Sequence, residues 1–263
     1  MSKDSVHKST TLKSPLGWVW GKSKLSKEII SLFPQHTHYV EVFGWGLSVL
    51  FAKESSKLET INDINNDLIN FWRIISTKPQ SLSHHLNQLF VSRVIFNQIK
   101  LSKYKPKSDI QRAAYFYYLV TQSFWSKGTH FAMTSKAWRK PKNLWKDFTK
   151  WTKRLQFVTV ENMSFEQLLL KYDSKDTFFY LDPPYYNFEK CYQSWFTKSQ
   201  HLLLRATLKQ IKGKFLLSYN DIPEIRELYK DYNIRNSKEI TYTLWKDKNG
   251  NHKKVSELYI SNY

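Results

Sequence analysis

The run Thr177-Phe178-Phe179-Tyr180-Leu181 ends abruptly at Asp182-Pro183-Pro184-Tyr185. Five residues of this kind read as a buried strand. Two prolines, with fixed φ and no N–H, stop the strand and stiffen the turn that follows. An acid is thereby held at the tip of a strand beside main-chain carbonyls left free to accept. A carboxylate at Asp182 and the carbonyl of Pro183 could each accept one N–H of an exocyclic amine, and the ring of Tyr185 offers a flat face for a base drawn out of a duplex. The same tetrapeptide is also compatible with an ordinary Pro-Pro turn carrying a solvated acid.

Charge narrows the partner. Lys and Arg number 41 against 22 Asp and Glu, a formal net charge of +19. A surface so basic favours a polyanion, because binding phosphates releases condensed counterions. The excess is concentrated: residues 77–156 carry sixteen Lys and Arg against two Asp, fourteen of the nineteen net charges. Arg112, Lys127, Lys136, Arg139, Lys140 and Lys142 are the expected nucleic-acid contacts. Tyr104, Trp125, Trp138, Trp145 and Trp151 are interleaved as rings able to stack on bases or wedge between them. No apolar stretch reaches the ~18 residues of a spanning helix, and no signal-type segment follows the polar start, so a soluble, cytoplasmic protein is expected. Cys191 is the single cysteine, which excludes an internal disulfide and a cysteine-based zinc cluster; the histidines lack ligand spacing, so no metal is expected.

Outside the basic segment, strand and helix patterns alternate. Strands are predicted at 38–42, 58–61, 157–161, 178–181, 214–218, 234–240 and 256–260, and helices at 23–32, 48–54, 65–76, 165–172, 198–211 and 222–229. Thr197 with Gln200, and Asp221 with Glu224, fit capping boxes, and Pro223 suits a first helical turn. Asp247-Lys248-Asn249-Gly250 reads as the turn of an antiparallel hairpin closing one edge of the sheet. The expected architecture is α/β. It comprises a Rossmann-like, mostly parallel sheet formed by residues 1–76 and 158–263, with a mostly helical, basic target-recognition domain inserted at 77–157.

Ligands of such sheets bind beyond the carboxyl ends of the strands. The first strand runs into Phe43-Gly44-Trp45-Gly46, and the second ends at Asn62-Asp63-Ile64-Asn65. Glycines there would allow close approach of a ligand, and Asp63 could accept from ribose hydroxyls. A lone Gly-x-Gly suits NAD, a nucleotide or a methyl donor equally well.

The order of these blocks is similar to that of the DNA adenine-N6 methyltransferases related to bacterial Dam, the D12 class with alpha-type motif order. The resemblance covers nearly the whole chain. It takes in Ser14-Pro15-Leu16 and Trp20-Gly21-Lys22, Tyr39 to Gly46, Asn62 to Asn65, Tyr117 to Gly128, Asp182 to Tyr185, and Glu257 to Tyr263. It implies transfer of a methyl group from S-adenosylmethionine to N6 of a flipped-out adenine in double-stranded DNA, as in restriction-modification systems. Asp182, Pro183, Pro184 and Tyr185 would form the catalytic corner. Trp20, Lys22, Glu41, Phe43, Gly44, Gly46, Asp63, Phe165 and Asp182 would line the cofactor site. A bacterial or phage-encoded, nucleoid-associated monomer or weak dimer is implied. Two departures stand out: Trp20 replaces the first glycine of the usual Gly-Gly-Lys, and Trp45 separates two glycines of the cofactor turn; both rings are expected to point outward and pack, since the flanking glycines that need backbone freedom are kept. Cytosine-N4 or RNA amines as targets, and a decayed methyltransferase that only binds DNA, remain alternatives.

Overall fold

The computed structural model describes residues 12–17, 21–132, 144, 146–188, 196–246 and 252–263, with the backbone alone at 125, 240–246, 252 and 253. Seven strands form one sheet in the order β3 (Val158–Glu161), β2 (Leu58–Asn62), β1 (His38–Glu41), β4 (Thr177–Leu181), β5 (Lys214–Asn220), β9 (Glu257–Ser261) and β6 (Asn233–Asn236). The first five run parallel, while β9 is antiparallel to both β5 and β6. The order reverses between β1 and β4. That switch point is where such a sheet opens a crevice at its carboxyl edge.

Alternation along the strands divides the core. Tyr39, Phe178, Tyr180 and Tyr259 belong to a cluster on one face, covered by α1 (Ser26–Ser31), α2 (Ser48–Ala52) and α3 (Asn66–Thr77). Val40, Phe179, Leu181 and Leu217 fill the other, under α8 (Phe165–Lys171), α9 (Lys198–Leu208) and α10 (Pro223–Leu228). Helix α3 starts where Asn65 accepts from the N–H groups of Asp67 and Leu68 at 3.0 and 3.1 Å, so a side chain satisfies two donors that the helix itself cannot.

Several expectations from local pattern are corrected. The strand predicted at 234–240 is two: β6 stops at Asn236, and β7 (Ile240–Lys246) begins after the chain has left the sheet. The Ser237 N–H still donates to the Glu257 carbonyl of β9 at 2.8 Å, and the chain departs one residue later, where the Lys238 N–H turns to the Glu28 carboxylate of α1 at 2.9 Å. β7 pairs antiparallel with β8 (His252–Val255) in a separate two-stranded sheet, so this pair does not close an edge of the main sheet. The turn at 247–250 lies outside the described residues. Neither capping box forms. The Thr197 hydroxyl pairs with Ser199 at 2.7 Å, and the residue before α10 is Ile222 because the Asp221 carboxylate is taken by Arg226 at 2.6 Å and Asn236 at 2.7 Å. Pro223 does open α10.

Between α3 and β3 the described residues hold α4 (Pro79–Asn87), α5 (Arg93–Lys100), α6 (Asp109–Thr121) and α7 (Thr149–Leu155). Their apolar side chains join the core of the sheet: Phe71 of α3 stacks on Tyr117 of α6 at 5.5 Å, and Phe148 meets Tyr117 at 5.7 Å. A buried charge cluster fastens α7 to β2. Glu59 takes Arg154 through both oxygens, at 2.5 and 2.9 Å, and Lys53 at 2.5 Å. Burial opposes ionisation of Glu59, but Arg154 and Lys53 outweigh it and hold its carboxyl below the usual range. Removing Arg154 leaves Glu59 with Lys53 as a charged partner but takes away a two-pronged charged contact. Arg154→Ala is therefore expected to lower stability by about 2 kcal/mol, read as a fall in the denaturant midpoint with an unchanged slope.

Candidate active site

Three acids converge at the carboxyl edge of the sheet because strand direction and alternation bring them there. Glu41 lies two residues beyond Tyr39 and Asp182 two beyond Tyr180, so each shares its neighbour's face. The antiparallel β9 presents its first residue, Glu257, at the edge where the parallel strands present their last; it pairs with Asn220 at the end of β5. A short 3-10 turn at Lys22–Lys24, just before α1, supplies the cation. The Lys22 ammonium, 4% exposed, lies 2.7 Å from Asp182 Oδ1, 3.3 Å from Glu257 Oε2 and 2.6 Å from the Tyr185 hydroxyl, and sits 4.8 Å from the centre of the Tyr185 ring.

Burial and charge set the titration of this group. Burial pushes Asp182 up to about 6, with Glu257 adding to the rise and Lys22 opposing it. Burial works to lower Lys22, but Asp182 and Glu257 prevail and raise it. Glu41 accepts from the Tyr39 hydroxyl at 2.8 Å and the Leu50 N–H at 3.1 Å, yet burial pushes it up to about 8.

A narrow cleft, partly open to solvent, lies at the switch point. Its walls are Gly21 and Lys22, Glu41, the turn from Phe43 through Val49, and Tyr180, Asp182 and Pro183. The turn is tight. A Cβ on Gly44 would stand 2.9 Å from the Asn62 carbonyl oxygen, so only glycine fits there. Trp45 and Leu47 adopt left-handed φ of 37° and 52°, a region costly for side-chain-bearing residues. The Trp45 indole N–H donates to the main-chain carbonyl of Asp182, on another wall of the cleft, at 2.7 Å.

Not every expected site residue faces this space. Asp63 is buried, and its carboxylate accepts from the N–H groups of Asn65 at 2.9 Å and Trp45 at 3.2 Å. Burial pushes it up to about 6 against the pull of those N–H groups and of Gly44 and Ile64. Phe165 packs between Phe43 and Phe196, at 5.9 and 5.7 Å, and does not line the cleft. Pro184 is buried behind Pro183 and, like Tyr185, is not among the lining residues. Trp20 lies outside the described residues, as do Lys136, Arg139, Lys140, Lys142, Trp138 and Trp145.

In the basic segment Arg112 stands 3.7 Å from Asp67 and 3.8 Å from Asp109 within the helical layer, and Lys127 closes a 3-10 turn at Phe124–Ser126. Trp151, expected to stack on bases, is instead buried with its indole N–H on the Lys13 carbonyl at 2.8 Å. Tyr104 remains exposed. Trp45, expected to point outward and pack, instead lines the cleft and bonds to the Asp182 carbonyl, because its left-handed backbone turns the indole toward that strand end; Glu257 has no role assigned from sequence. Glu257 opens an apolar run, Leu258-Tyr259-Ile260, and that acid at a strand start is the one signal that could have marked it. Among the described residues no helix is long and apolar enough to cross a membrane, and no group of three His, Cys, Asp or Glu is placed to hold a metal ion.

Comparison with known proteins accords with this arrangement. The family model for D12 class N6 adenine-specific DNA methyltransferases matches residues 18–243. A type II methyltransferase of Lactococcus lactis subsp. cremoris is 28% identical over 270 residues, covering 94% of each chain. A DNA adenine methylase of Vibrio cholerae is 25% identical over 234 residues, covering 82% of this chain and 84% of its own length.

Proposed function

The chain belongs to the D12 class N6 adenine-specific DNA methyltransferases, and from that premise we propose that it transfers a methyl group from S-adenosylmethionine to N6 of an adenine drawn out of double-stranded DNA. The observation that carries this reading is the Asp182 carboxylate, held by Lys22 at the switch point in a cleft with more acids than bases.

The cleft suits the methyl donor. S-adenosylmethionine, when bound, supplies an electrophilic methyl on a positively charged sulfur, and its amino-acid end carries an ammonium and a carboxylate, leaving one net positive charge. Asp182 is paired with Lys22, whereas Glu41 on the same wall faces no cation within the cleft lining beyond that pair, so a cationic ligand arriving there would favour its ionised form. Glu41, Phe43, Gly44 and Gly46 would hold its methionine end, with Lys22 nearby. Asp63 would act through the turn, since its carboxylate braces the Trp45 N–H.

Asp182 handles the amine. Its Oδ1 is engaged by Lys22, which leaves its second oxygen to accept one N–H of the adenine amino group, and the Pro183 carbonyl can accept the other. Two such bonds favour a more tetrahedral nitrogen with its lone pair turned to the donor, and positioning then lowers the barrier. As the nitrogen–carbon bond forms and the carbon–sulfur bond breaks, the nitrogen becomes acidic. Asp182, already pushed up to about 6, takes or relays the leaving proton. Tyr185 would stack on the displaced base. Residues 77–157 would form the recognition domain, with Arg112 and Lys127 joined by the lysines and arginine at 136–142 in phosphate contact.

Incubating the protein with unmethylated duplex DNA and isotope-labelled S-adenosylmethionine, then identifying the labelled nucleoside by mass spectrometry, tests the reading. Labelled N6-methyladenine is expected; label on cytosine, on RNA alone or nowhere would overturn it. A second expectation concerns protons. At pH 7 Glu41, with its pKa pushed up to about 8, is mostly protonated, and an arriving cation favours its ionised form. Binding of the donor should therefore release a proton near pH 7, and the release should fade by pH 9, where Glu41 is already ionised. Calorimetry in buffers of different ionisation enthalpy measures it.

A further inference from the structure

Trp45 joins the two halves of the cleft. Its main-chain N–H donates to Asp63 at the end of β2, and its indole N–H donates to the Asp182 carbonyl at the end of β4, 137 residues along the chain. The residue stands between Gly44 and Gly46 in a left-handed conformation, φ 37°, which a glycine would adopt without strain. A bulky residue kept at a strained position directs attention to what its side chain does there.

That side chain bonds to one particular atom. With the Asp182 carbonyl held at 2.7 Å, the plane of the Asp182–Pro183 peptide is fixed from the turn side. Pro183 and Pro184 have ring-locked φ, so few torsions remain by which the corner could shift. The Asp182 side chain is held separately, by Lys22. Main chain and side chain of one residue are thus tethered from two elements, the β1 turn and the 3-10 turn before α1.

We propose that Trp45 is a positioning residue for methyl transfer: through its indole N–H it locks the Asp182–Pro183 peptide and so couples the turn that lines the donor cleft to the corner that receives the amine. The inference rests on the methyl-transfer reading above. Loss of the N–H lets the corner rock, and misplacement at a reacting centre lowers turnover more than affinity.

Trp45→Phe keeps a ring and removes the donor; Trp45→Gly removes both and relieves the backbone. For both variants kcat is expected to fall about tenfold or more, and for Trp45→Phe the KM for S-adenosylmethionine and for DNA should stay within about twofold of wild type. A readout independent of activity is the indole N–H resonance of Trp45, assigned by its disappearance in Trp45→Phe. Exchange with solvent should be slow in the protein without added ligand. Wild-type kcat in both variants, a raised donor KM at wild-type kcat, or a rapidly exchanging indole proton would each overturn the role. The two possible failures are separable. A wild-type protein that methylates no DNA fails the reading on which the role depends, whereas normal methylation with an indifferent Trp45→Phe fails only the role.

Discussion

Asp182→Asn is expected to lower methyl transfer by about two to three orders of magnitude, the range typical of losing one preorganised electrostatic contact at a reacting centre. The substitution keeps the size of the side chain and one carbonyl oxygen. It removes the charge that pairs with Lys22 at 2.7 Å and the capacity to receive the proton leaving the amine. DNA affinity should change little, because it derives from phosphates neutralised across a strongly basic surface, while the Asp182 side chain is 13% exposed inside the cleft. Lys22 retains Glu257 at 3.3 Å, so the asparagine variant should fold. Single-turnover methylation with labelled donor, alongside DNA binding by fluorescence anisotropy at fixed salt, measures both quantities. Transfer within tenfold of wild type would remove Asp182 from the chemistry.

The route from sequence to this site is uneven, for physical reasons. Strand ends were legible because they are local: an apolar run stopped by Asp182-Pro183-Pro184 needs no tertiary information, and the acid two residues past Tyr39 inherits the face of that tyrosine. The start of α3 at Asn65 and Pro223 at the head of α10 were legible for the same reason. Contacts set by strand direction were not. Glu257 reaches the carboxyl edge of the parallel strands only because β9 runs opposite to β5, and direction within a sheet is a property of the assembled fold. Trp45 could be noticed as an oddity between two glycines, but its bond to a carbonyl 137 residues away has no local signature. Phe165 and Trp151 show the pull of packing. Both carry rings suited to a ligand or a base, and the core took them, since burying an aromatic side chain is itself strongly favourable. Capping failed at Asp221 because an arginine one turn on, Arg226, offered a charged partner to the same carboxylate.

The shared cation supplies the second large effect. Lys22→Met removes the positive charge that Asp182 and Glu257 hold in common, leaving carboxylates whose side chains are 13% and 1% exposed. Stranding buried charge in this way costs about 3–5 kcal/mol, and a carboxyl that can protonate escapes part of that cost by doing so. Asp182 already titrates at about 6 because burial, aided by Glu257, outweighs the pull of Lys22. Without Lys22 it rises further, so at pH 7 more of it is protonated and unable to receive a proton from the amine. The acid limb of the pH–rate profile should therefore move to higher pH, with the loss of turnover greatest near neutrality and partly recovered in alkali. Glu257→Gln acts in the opposite sense: removing the negative neighbour lowers the Asp182 pKa and should carry the same limb to lower pH. Rates measured between pH 5 and 9 on wild type and both variants give the sign of each displacement. Opposite shifts tie the limb to Asp182 through its two charged neighbours. A limb that stays in place in both variants would mean that another group limits the reaction, and the Lys22–Asp182–Glu257 cluster would then be a structural tie rather than part of the proton path.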